Sequence, residues 1–336
     1  MNQKTQVQIP LTTIVSLSKT LNPEDQVSCV LLGICFVLGV SGNVMVVAFL
    51  LRGFQKKNFT THLMLNLAAS DILCLVSLPV FMYALLYGWV FSSTFCKLLT
   101  FVIYVSLYAS VMSVTLMSVQ RYLAVLRPAQ WARLGRRGER GLLVTLWAAA
   151  CILSGPAAAT NDVIHPGGKP KCWRISMSDG SRAMVVLCET VFGFVVPFSI
   201  LASSYFCLHK KVNQTAFFNS KRTTRLVTLI VATFFVLWIP IHILNLMDIA
   251  AIGIRPYNPG LYKDLSDMRR SSEEVVKSFT FINSFVNPFL YAFVTRGFRQ
   301  RSSQVEREDN KTQTSTQTPL SWWHCANESI LIHCHF

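Results

Sequence analysis

The sequence predicts an all-α membrane protein, a seven-transmembrane helix bundle with its N-terminus outside and its C-terminus inside. One reason is the composition: 52% of the 336 residues are hydrophobic and only 14% are charged, against about 25% charged residues in ordinary soluble proteins. A second reason is that about 20 apolar residues are enough to cross a bilayer as a helix. Seven apolar stretches reach this length, at residues 26–51, 61–87, 95–125, 141–159, 182–208, 225–252 and 275–293.

The placement of the basic residues predicts the orientation. The net charge is +15, but the lysines and arginines lie between the apolar stretches and form no stripe with interleaved aromatic residues, which argues against a nucleic acid partner. The gaps after the first, third and fifth stretches are strongly basic, whereas the other gaps mix acids with bases. Because basic loops stay in the cytoplasm, we expect the chain to start outside and end inside.

Four regions follow from this arrangement. We expect an extracellular tail at residues 1–25 and the seven-transmembrane bundle at 26–294. Residues 295–301 are expected to form a short amphipathic helix on the inner face of the membrane, in contact with its lipids. The polar, Ser/Thr-rich residues 302–336 are typical of a disordered cytoplasmic tail.

The third apolar stretch is expected to connect the two aqueous compartments. Cys96 and Arg121 are separated by roughly 37 Å if the chain between them is helical at about 1.5 Å per residue, and the hydrocarbon core is roughly 30 Å thick. Of the ten cysteines, Cys96 and Cys172 fall at aqueous boundaries on the same, outer side. Disulfides persist in that oxidising compartment, so we predict a bond between these two.

Several polar side chains lie deep in the apolar stretches, where a charged residue costs about 2.5–3.5 kcal/mol. Asp71 is in the second stretch, Ser110 in the third, and Asn283 and Asn287 in the seventh. If these stretches meet, the side chains form a small polar chamber around one carboxylate. Such a chamber suits a sodium ion or ordered waters, and a hydrogen-bonded network without an ion is the alternative. We expect no cofactor beyond this optional sodium ion.

Motifs in all seven stretches resemble those of the rhodopsin-like (class A) G-protein-coupled receptors. In chain order they are Asn43, Leu67-Ala-Ala-Ser-Asp71, Cys96, Gln120-Arg121-Tyr122, Trp147, Cys172, Pro197 with Tyr205, Trp238-Ile-Pro240, and Asn287-Pro288 with Tyr291. Each motif alone is weak, but the ordered set is specific. The resemblance implies a multi-pass plasma-membrane receptor, not an enzyme, that activates heterotrimeric G proteins. It also implies that arrestin and receptor kinases act on the C-terminal tail.

The resemblance further implies a conformational switch. A ligand in the outer half of the bundle shifts the packing in the sixth stretch, whose inner end swings outward and opens a groove for a Gα C-terminal helix. In physical terms, ligand and G protein bias the populations of two bundle packings. The residues expected to carry the switch and the coupling are Gln120, Arg121, Tyr122, Tyr205, Phe234, Trp238, Pro240, Asn287, Pro288 and Tyr291.

One position departs from the family pattern. The family usually has an acidic residue before the arginine of the third stretch, whereas Gln120 precedes Arg121 here. A neutral amide can hydrogen-bond Arg121 but cannot hold its charge, so we expect higher basal activity than in a Gln120→Asp variant. The same departure leaves a non-signalling decoy receptor of this fold as an alternative function.

The outer half of the bundle is aromatic and apolar with a few charges, which suits a ligand with an apolar body and a carboxylate. Amine receptors resemble one another in an aspartate at the position of Ile103, and opsins carry their retinal lysine at the position of Phe281, so both classes are disfavoured. The carboxylate would be anchored by Arg182 or Lys277, unless these side chains only extend to the headgroups. The candidate ligand contacts are Tyr104, Tyr108, Arg182, Glu189, His242, Asn245 and Lys277.

Shorter motifs are similar to those of leukotriene B4 receptors. They are Leu107-Tyr108-Ala-Ser-Val-Met, Ser181-Arg182-Ala with Glu189, Gly193-Phe-Val-Val-Pro197, Arg222-Thr-Thr-Arg225-Leu-Val, and Trp238-Ile-Pro-Ile-His242-Ile-Leu-Asn245-Leu. This resemblance implies a hydroxylated, acidic eicosanoid ligand, coupling to Gi and a role in leukocyte migration, with Tyr108, Arg182 and Glu189 as ligand contacts. Thr100 and Asn161 stand where a histidine and an arginine would be expected. A receptor for a chemoattractant peptide is the close alternative, since such receptors share much of this pattern.

Overall fold

The computed structural model describes residues 23–52, 59–165, 169–175, 178–214 and 218–315. Six helical segments in this part of the chain are long and apolar enough to cross a membrane, and the seventh predicted span lies within the last helix. We number the spans one to seven in chain order. The helices are Pro23–Arg52, Phe59–Leu75, Leu78–Tyr87, Ser93–Leu126, Pro128–Ala159, Asp179–Thr190, Val196–Gln214, Phe218–Ile254 and Pro259–Ser315.

Two spans that we predicted as single helices are interrupted next to a proline. Span two breaks between Leu75 and Leu78, just before Pro79, and Ser77 Oγ donates a hydrogen bond to the Cys74 carbonyl at 2.6 Å. Span five contains a π-helical turn over Val191–Val195, immediately before Pro197. Proline has no backbone N–H and its ring crowds the preceding turn, so the helix changes its hydrogen-bond pattern at these places.

Two other helices begin well before the predicted spans. The helix of span four starts at Pro128 and is kinked at Gly135, whose φ of +57° favours glycine. The helix of span seven starts at Pro259, so much of the loop predicted before it is helical. The same helix continues to Ser315 without a visible boundary at the predicted segment 295–301, and the ranges 1–22 and 316–336 lie outside the described residues. The division of the C-terminal region therefore stays a prediction.

Span three is the central helix of the bundle. It packs against spans two, four and five and contributes to all three clusters of buried apolar side chains. One cluster joins spans two, three, five and six, and its members are Phe59, Leu63, Leu67, Val111, Val114, Met117, Leu201, Phe234 and Trp238. Inside a bilayer the lipid is as apolar as these side chains, so the cluster stabilises the bundle through van der Waals contacts between the spans.

A β-hairpin follows span four on the outer side. Strands β1 (Asn161–Ile164) and β2 (Lys171–Arg174) are antiparallel. The predicted disulfide between Cys96 and Cys172 is present, with a Cα–Cα distance of 5.7 Å, and attaches β2 to the start of span three. Asp162 provides a second attachment, because it accepts a hydrogen bond from Ser93 and pairs with Lys97 Nζ at 3.3 Å. The Ser93 hydroxyl and the Val163 amide hold the pKa of Asp162 below its ordinary value.

Candidate functional site

A cavity lies between the outer halves of the spans, with residues of both hairpin strands in its wall. The cavity opens to the outside, and clefts between the helices of a bundle are common ligand sites. Its apolar lining includes Leu32, Phe81, Leu85, Ile103, Leu107, Trp238, Ile241 and Phe281. Its charged lining is formed by Arg174, Glu189, Arg269, Glu273 and Lys277. A bound molecule would therefore meet both hydrocarbon and charge.

The structure places all but one of the predicted ligand contacts at this cavity. Its wall includes Tyr104, Tyr108, Glu189, His242, Asn245 and Lys277. Arg182 is the exception, because its guanidinium binds the carboxylate of Asp248 in span six, with Nε–Oδ2 and Nη2–Oδ1 distances of 2.8 and 2.6 Å. Of the two carboxylate anchors that we predicted, only Lys277 lines the cavity.

Acidic and basic side chains form a continuous chain from span six into span seven. Asp248, which is buried, lies 3.6 Å from Arg269 Nε, and Arg269 Nη1 lies 3.2 Å from Glu273 Oε2. The other oxygen of Glu273 lies 2.8 Å from Lys277 Nζ. Lys277 Nζ also lies 4.6 Å from the ring centroid of Trp173 in β2, a cation–π distance. Sequence reasoning missed Asp248, Arg269 and Glu273 as site residues, since it assigned the last two to a surface loop.

Arg174, at the end of β2, is the other charged residue that sequence reasoning missed. Its Nη2 donates a hydrogen bond to Tyr104 Oη at 3.0 Å, and its Nη1 donates to Glu189 Oε2 at 3.2 Å, with a closer second contact to Glu189 Oε1. Side chains alternate along a strand, so Arg174 shares a face of β2 with Cys172, which is bonded to span three. The position of Arg174 two residues after Cys172 was therefore the feature of the sequence that could have predicted it as a site residue. Among the described residues, the cavity lining thus holds three cations and two carboxylates.

A neutral polar cluster connects spans five and six beside the cavity. Asn245 Nδ2 donates to Thr190 Oγ1 at 3.3 Å, and His242 Nδ1 lies 3.4 Å from the same oxygen. The His242 ring stacks on Phe194 and Trp238, with centroid distances of 4.7 and 5.9 Å. This stack extends from the ligand cavity to the residues expected to switch, because the Phe234 and Trp238 rings are 5.6 Å apart.

The predicted polar chamber exists around Asp71, which is fully buried. Ser110 Oγ donates to its Oδ1 at 3.0 Å and Asn287 Nδ2 donates to its Oδ2 at 2.7 Å, so spans two, three and seven meet there. Asn283 is buried one turn before Asn287, and no hydrogen bond between it and Asp71 is found within the described ranges. The carboxylate and the hydroxyl are oxygen ligands of the kind that hard cations accept. Sodium binding here stays a prediction.

At the inner end of span three, the side chain of Gln120 is directed away from its neighbour Arg121. Gln120 Nε2 donates to Thr60 Oγ1 in span two at 2.7 Å. Arg121 is partly buried, and no hydrogen bond or ion pair joins it to a side chain that the structure describes. Tyr122 and Tyr205 are also partly buried, whereas the side chain of Tyr291 lies outside the described part. Pro240 and Pro288 lie inside the helices of spans six and seven.

Comparison with known proteins agrees with this architecture. The sequence profile of the 7 transmembrane receptor (rhodopsin family) matches residues 42–291. Leukotriene B4 receptor 1 of Homo sapiens is 34% identical over 267 residues, which cover 78% of this chain and 75% of that receptor. The fMet-Leu-Phe receptor of Gorilla gorilla gorilla is 29% identical over 316 residues, 88% of each chain. C5a anaphylatoxin chemotactic receptor 1 of Danio rerio is 29% identical over 301 residues, 87% of this chain and 84% of that receptor.

These matches span the bundle that the structure shows, including the helices, the disulfide and the outer cavity. The family consists of receptors rather than enzymes, and its members are multi-pass proteins of the plasma membrane that couple an extracellular ligand to a G protein. The chain belongs to the rhodopsin family of seven-transmembrane, G-protein-coupled receptors.

Proposed function

We propose that this receptor recognises an acidic lipid mediator, leukotriene B4 or a related hydroxy-eicosanoid, and activates heterotrimeric G proteins of the Gi class in chemoattractant signalling. The similarity to leukotriene B4 receptor 1 and to a chemotactic receptor supports this proposal. Arrestin and receptor kinases would act through the C-terminal tail, as in the family at large.

The observation that carries the proposal is the division of the cavity wall into an apolar part and a part with one excess positive charge. The apolar part comes from spans one, two, three, six and seven. It suits a hydrocarbon chain, which gains about 25 cal/mol for each Å² removed from water. The charged part holds three cations and two carboxylates. A ligand with one carboxylate would neutralise this excess, whereas a neutral lipid would leave it uncompensated.

Lys277 is the preferred anchor for the ligand carboxylate. It lines the cavity, and its side chain is 41% exposed, whereas the side chain of Arg174 is only 16% exposed and makes two contacts with Glu189. A ligand can therefore reach Lys277 without first breaking a buried bidentate pair. Tyr108 and Glu189 also line the cavity. The hydroxyl of Tyr108 and the carboxylate of Glu189 suit the hydroxyl groups of the ligand.

Gαi activation by leukotriene B4 in transfected cells tests the proposal. We expect a response in the wild type, and a loss of potency of about tenfold or more in Lys277→Ala, since a charge-assisted hydrogen bond contributes about 1.5–3 kcal/mol. Lys263→Ala is the matched control, because Lys263 is an exposed lysine in the same helix. No response in a wild type that reaches the cell surface normally would overturn the lipid assignment.

A chemoattractant peptide is the second candidate, and the similarity to the fMet-Leu-Phe receptor favours it. The carboxylates of Glu189 and Glu273 at the cavity could then accept hydrogen bonds from the N–H groups of a peptide. Formyl-Met-Leu-Phe in the same Gαi assay separates the two candidates. A response to the peptide with none to the lipid would replace the first candidate by the second.

A decoy function rests on Gln120, which stands in place of the usual acid. GTPγS exchange in membranes separates a decoy from a signalling receptor. Ligand binding without exchange, at normal surface expression, would favour the decoy. Retention of Arg121 in span three and Tyr205 in span five leads us to expect exchange.

A further inference from the structure

Glu273 is a buried carboxylate that two cavity cations share. It is 5% exposed, and it lies 3.2 Å from Arg269 Nη1 and 2.8 Å from Lys277 Nζ. All three side chains line the cavity. Since the residues are four apart in sequence, they lie on one face of the helix of span seven. The carboxylate thus stands at the place where a ligand carboxylate would reach Lys277.

The surroundings keep Glu273 ionised. It precedes the predicted seventh span, and although burial alone would raise its pKa, the charges of Lys277 and Arg269 hold the pKa below its ordinary value. Arg182 balances Asp248, so Arg269 and Lys277 leave one positive charge in excess around Glu273. An incoming anion therefore has a physical reason to bind here, but it must share the cations with Glu273.

We propose that Glu273 is an intramolecular competitor of the ligand: its carboxylate occupies Lys277 in the unliganded receptor and gives up this contact when an anionic ligand binds. The inference rests on the proposed function insofar as it assumes a ligand with a carboxylate. Glu273 would then set the affinity for carboxylate ligands, because it competes with them for Lys277 without touching the apolar wall.

The exchange is feasible because Glu273 does not lose both partners. The Arg269 side chain is 15% exposed and contacts Glu273 through Oε2, whereas the more exposed Lys277 contacts the other oxygen. When Lys277 turns to the ligand, Arg269 stays with Glu273 as an ion pair. The buried carboxylate therefore keeps one countercharge, and the loss of both would be strongly unfavourable. Lys277 also lies over the Trp173 ring, and this cation–π contact does not depend on Glu273.

Substitution of Glu273 by glutamine tests the competition by a gain of affinity. We expect Glu273→Gln to bind leukotriene B4 about three- to tenfold more tightly than the wild type, a change of about 0.7–1.4 kcal/mol. The methyl ester of the same lipid should show no gain, because it has no charge for Lys277. Asp267→Asn is the matched control, since it removes an exposed carboxylate from the same helix and changes the net charge equally.

A double variant identifies the partner through which Glu273 acts. The affinity of Lys277→Ala/Glu273→Gln should equal that of Lys277→Ala, because the lysine for which Glu273 and the ligand compete is absent. An affinity in Glu273→Gln that is equal to or below that of the wild type, or the same gain in Asp267→Asn, would overturn the competition.

Failure of the proposed function gives a different result. If the wild type binds formyl-Met-Leu-Phe and no lipid, the lipid assignment fails. The competition is then tested with this peptide and its methyl ester in place of leukotriene B4 and its ester, since the peptide also ends in a carboxylate. If it binds neither, acetate serves as the carboxylate probe, compared with chloride at equal ionic strength. Acetate should then raise the melting temperature of Glu273→Gln more than that of Asp267→Asn, and equal shifts would overturn the competition.

Discussion

The side chains of Gln120 and Thr60 hydrogen-bond each other across spans three and two, with Nε2 of Gln120 2.7 Å from Oγ1 of Thr60. The reverse bond, from Thr60 Oγ1 to Gln120 Oε1, measures 3.1 Å. The residue that stands in place of the usual acid therefore interacts with span two rather than with Arg121. This arrangement ties two helices together and leaves the arginine without a restraint from its neighbour.

Basal G-protein activation should fall when Gln120 is replaced by aspartate. A carboxylate next to Arg121 would pair with the guanidinium and stabilise the inactive packing, and partly buried ion pairs are worth more than exposed ones, which contribute about 0–1 kcal/mol. We expect a several-fold lower basal rate of GTPγS exchange at matched surface expression. Equal basal rates in the two receptors would contradict this prediction.

Thr60→Ala is the control for the loss of the contact with span two. It removes the hydroxyl that holds Gln120 but adds no charge beside Arg121. We expect its basal rate to stay above that of Gln120→Asp. A basal rate as low as in Gln120→Asp would show that the bond to Thr60, and not the charge, controls basal activity.

Replacement of either disulfide cysteine by serine should impair ligand binding. The bond between Cys96 and Cys172 holds β2 on span three, and Arg174 reaches Tyr104 and Glu189 from the end of this strand. Loss of a disulfide typically costs about 2–4 kcal/mol. We expect the two single variants and the double variant to show the same loss of ligand affinity and the same fall in melting temperature, because each lacks the same single bond. Additive losses would show that each cysteine acts separately.

The expected sodium ion can be tested through Asp71. Removal of its charge in Asp71→Asn would leave the chamber without an anion, and a cation would then have no electrostatic reason to enter. We expect agonist affinity in the wild type to differ between sodium chloride and choline chloride, and this difference to disappear in Asp71→Asn. The same difference in both receptors would place any sodium effect elsewhere, and no difference in either would favour the hydrogen-bonded network without an ion.

Hydrophobic spans, their orientation and the disulfide could be predicted because each depends on local composition or on position relative to the membrane. The first and last residues of the helices were predicted less accurately. The residues before Glu273 are polar, so hydropathy places them in a loop, although a helix begins at Pro259. Breaks next to Pro79 and Pro197 depend on how neighbouring helices satisfy the freed carbonyl groups, which a single stretch of sequence does not reveal.

Six residues of the cavity wall could be predicted, but the pairing of its charges could not. Tyr104 and Tyr108 are four residues apart, so helix periodicity places them on one face, and their rings are indeed 6.4 Å apart. Arg182 and Asp248, in contrast, are distant in sequence and meet only because spans five and six pack together. Arg174 enters the cavity through the pairing of β1 with β2. Long-range pairs of this kind are properties of the packed bundle.

A double variant tests whether Arg182 acts on the ligand directly or through Asp248. Arg182 shields a buried carboxylate with two hydrogen bonds of 2.8 and 2.6 Å, so Arg182→Ala leaves Asp248 with Arg269 as its remaining partner at 3.6 Å. An underpaired buried carboxylate would then pull Arg269 away from Glu273 and disturb the cavity. We expect Arg182→Ala to reduce potency in the Gαi assay, and Asp248→Asn, introduced in addition, to restore most of the loss. If Arg182 contacted the ligand itself, the double variant would be at least as impaired as Arg182→Ala.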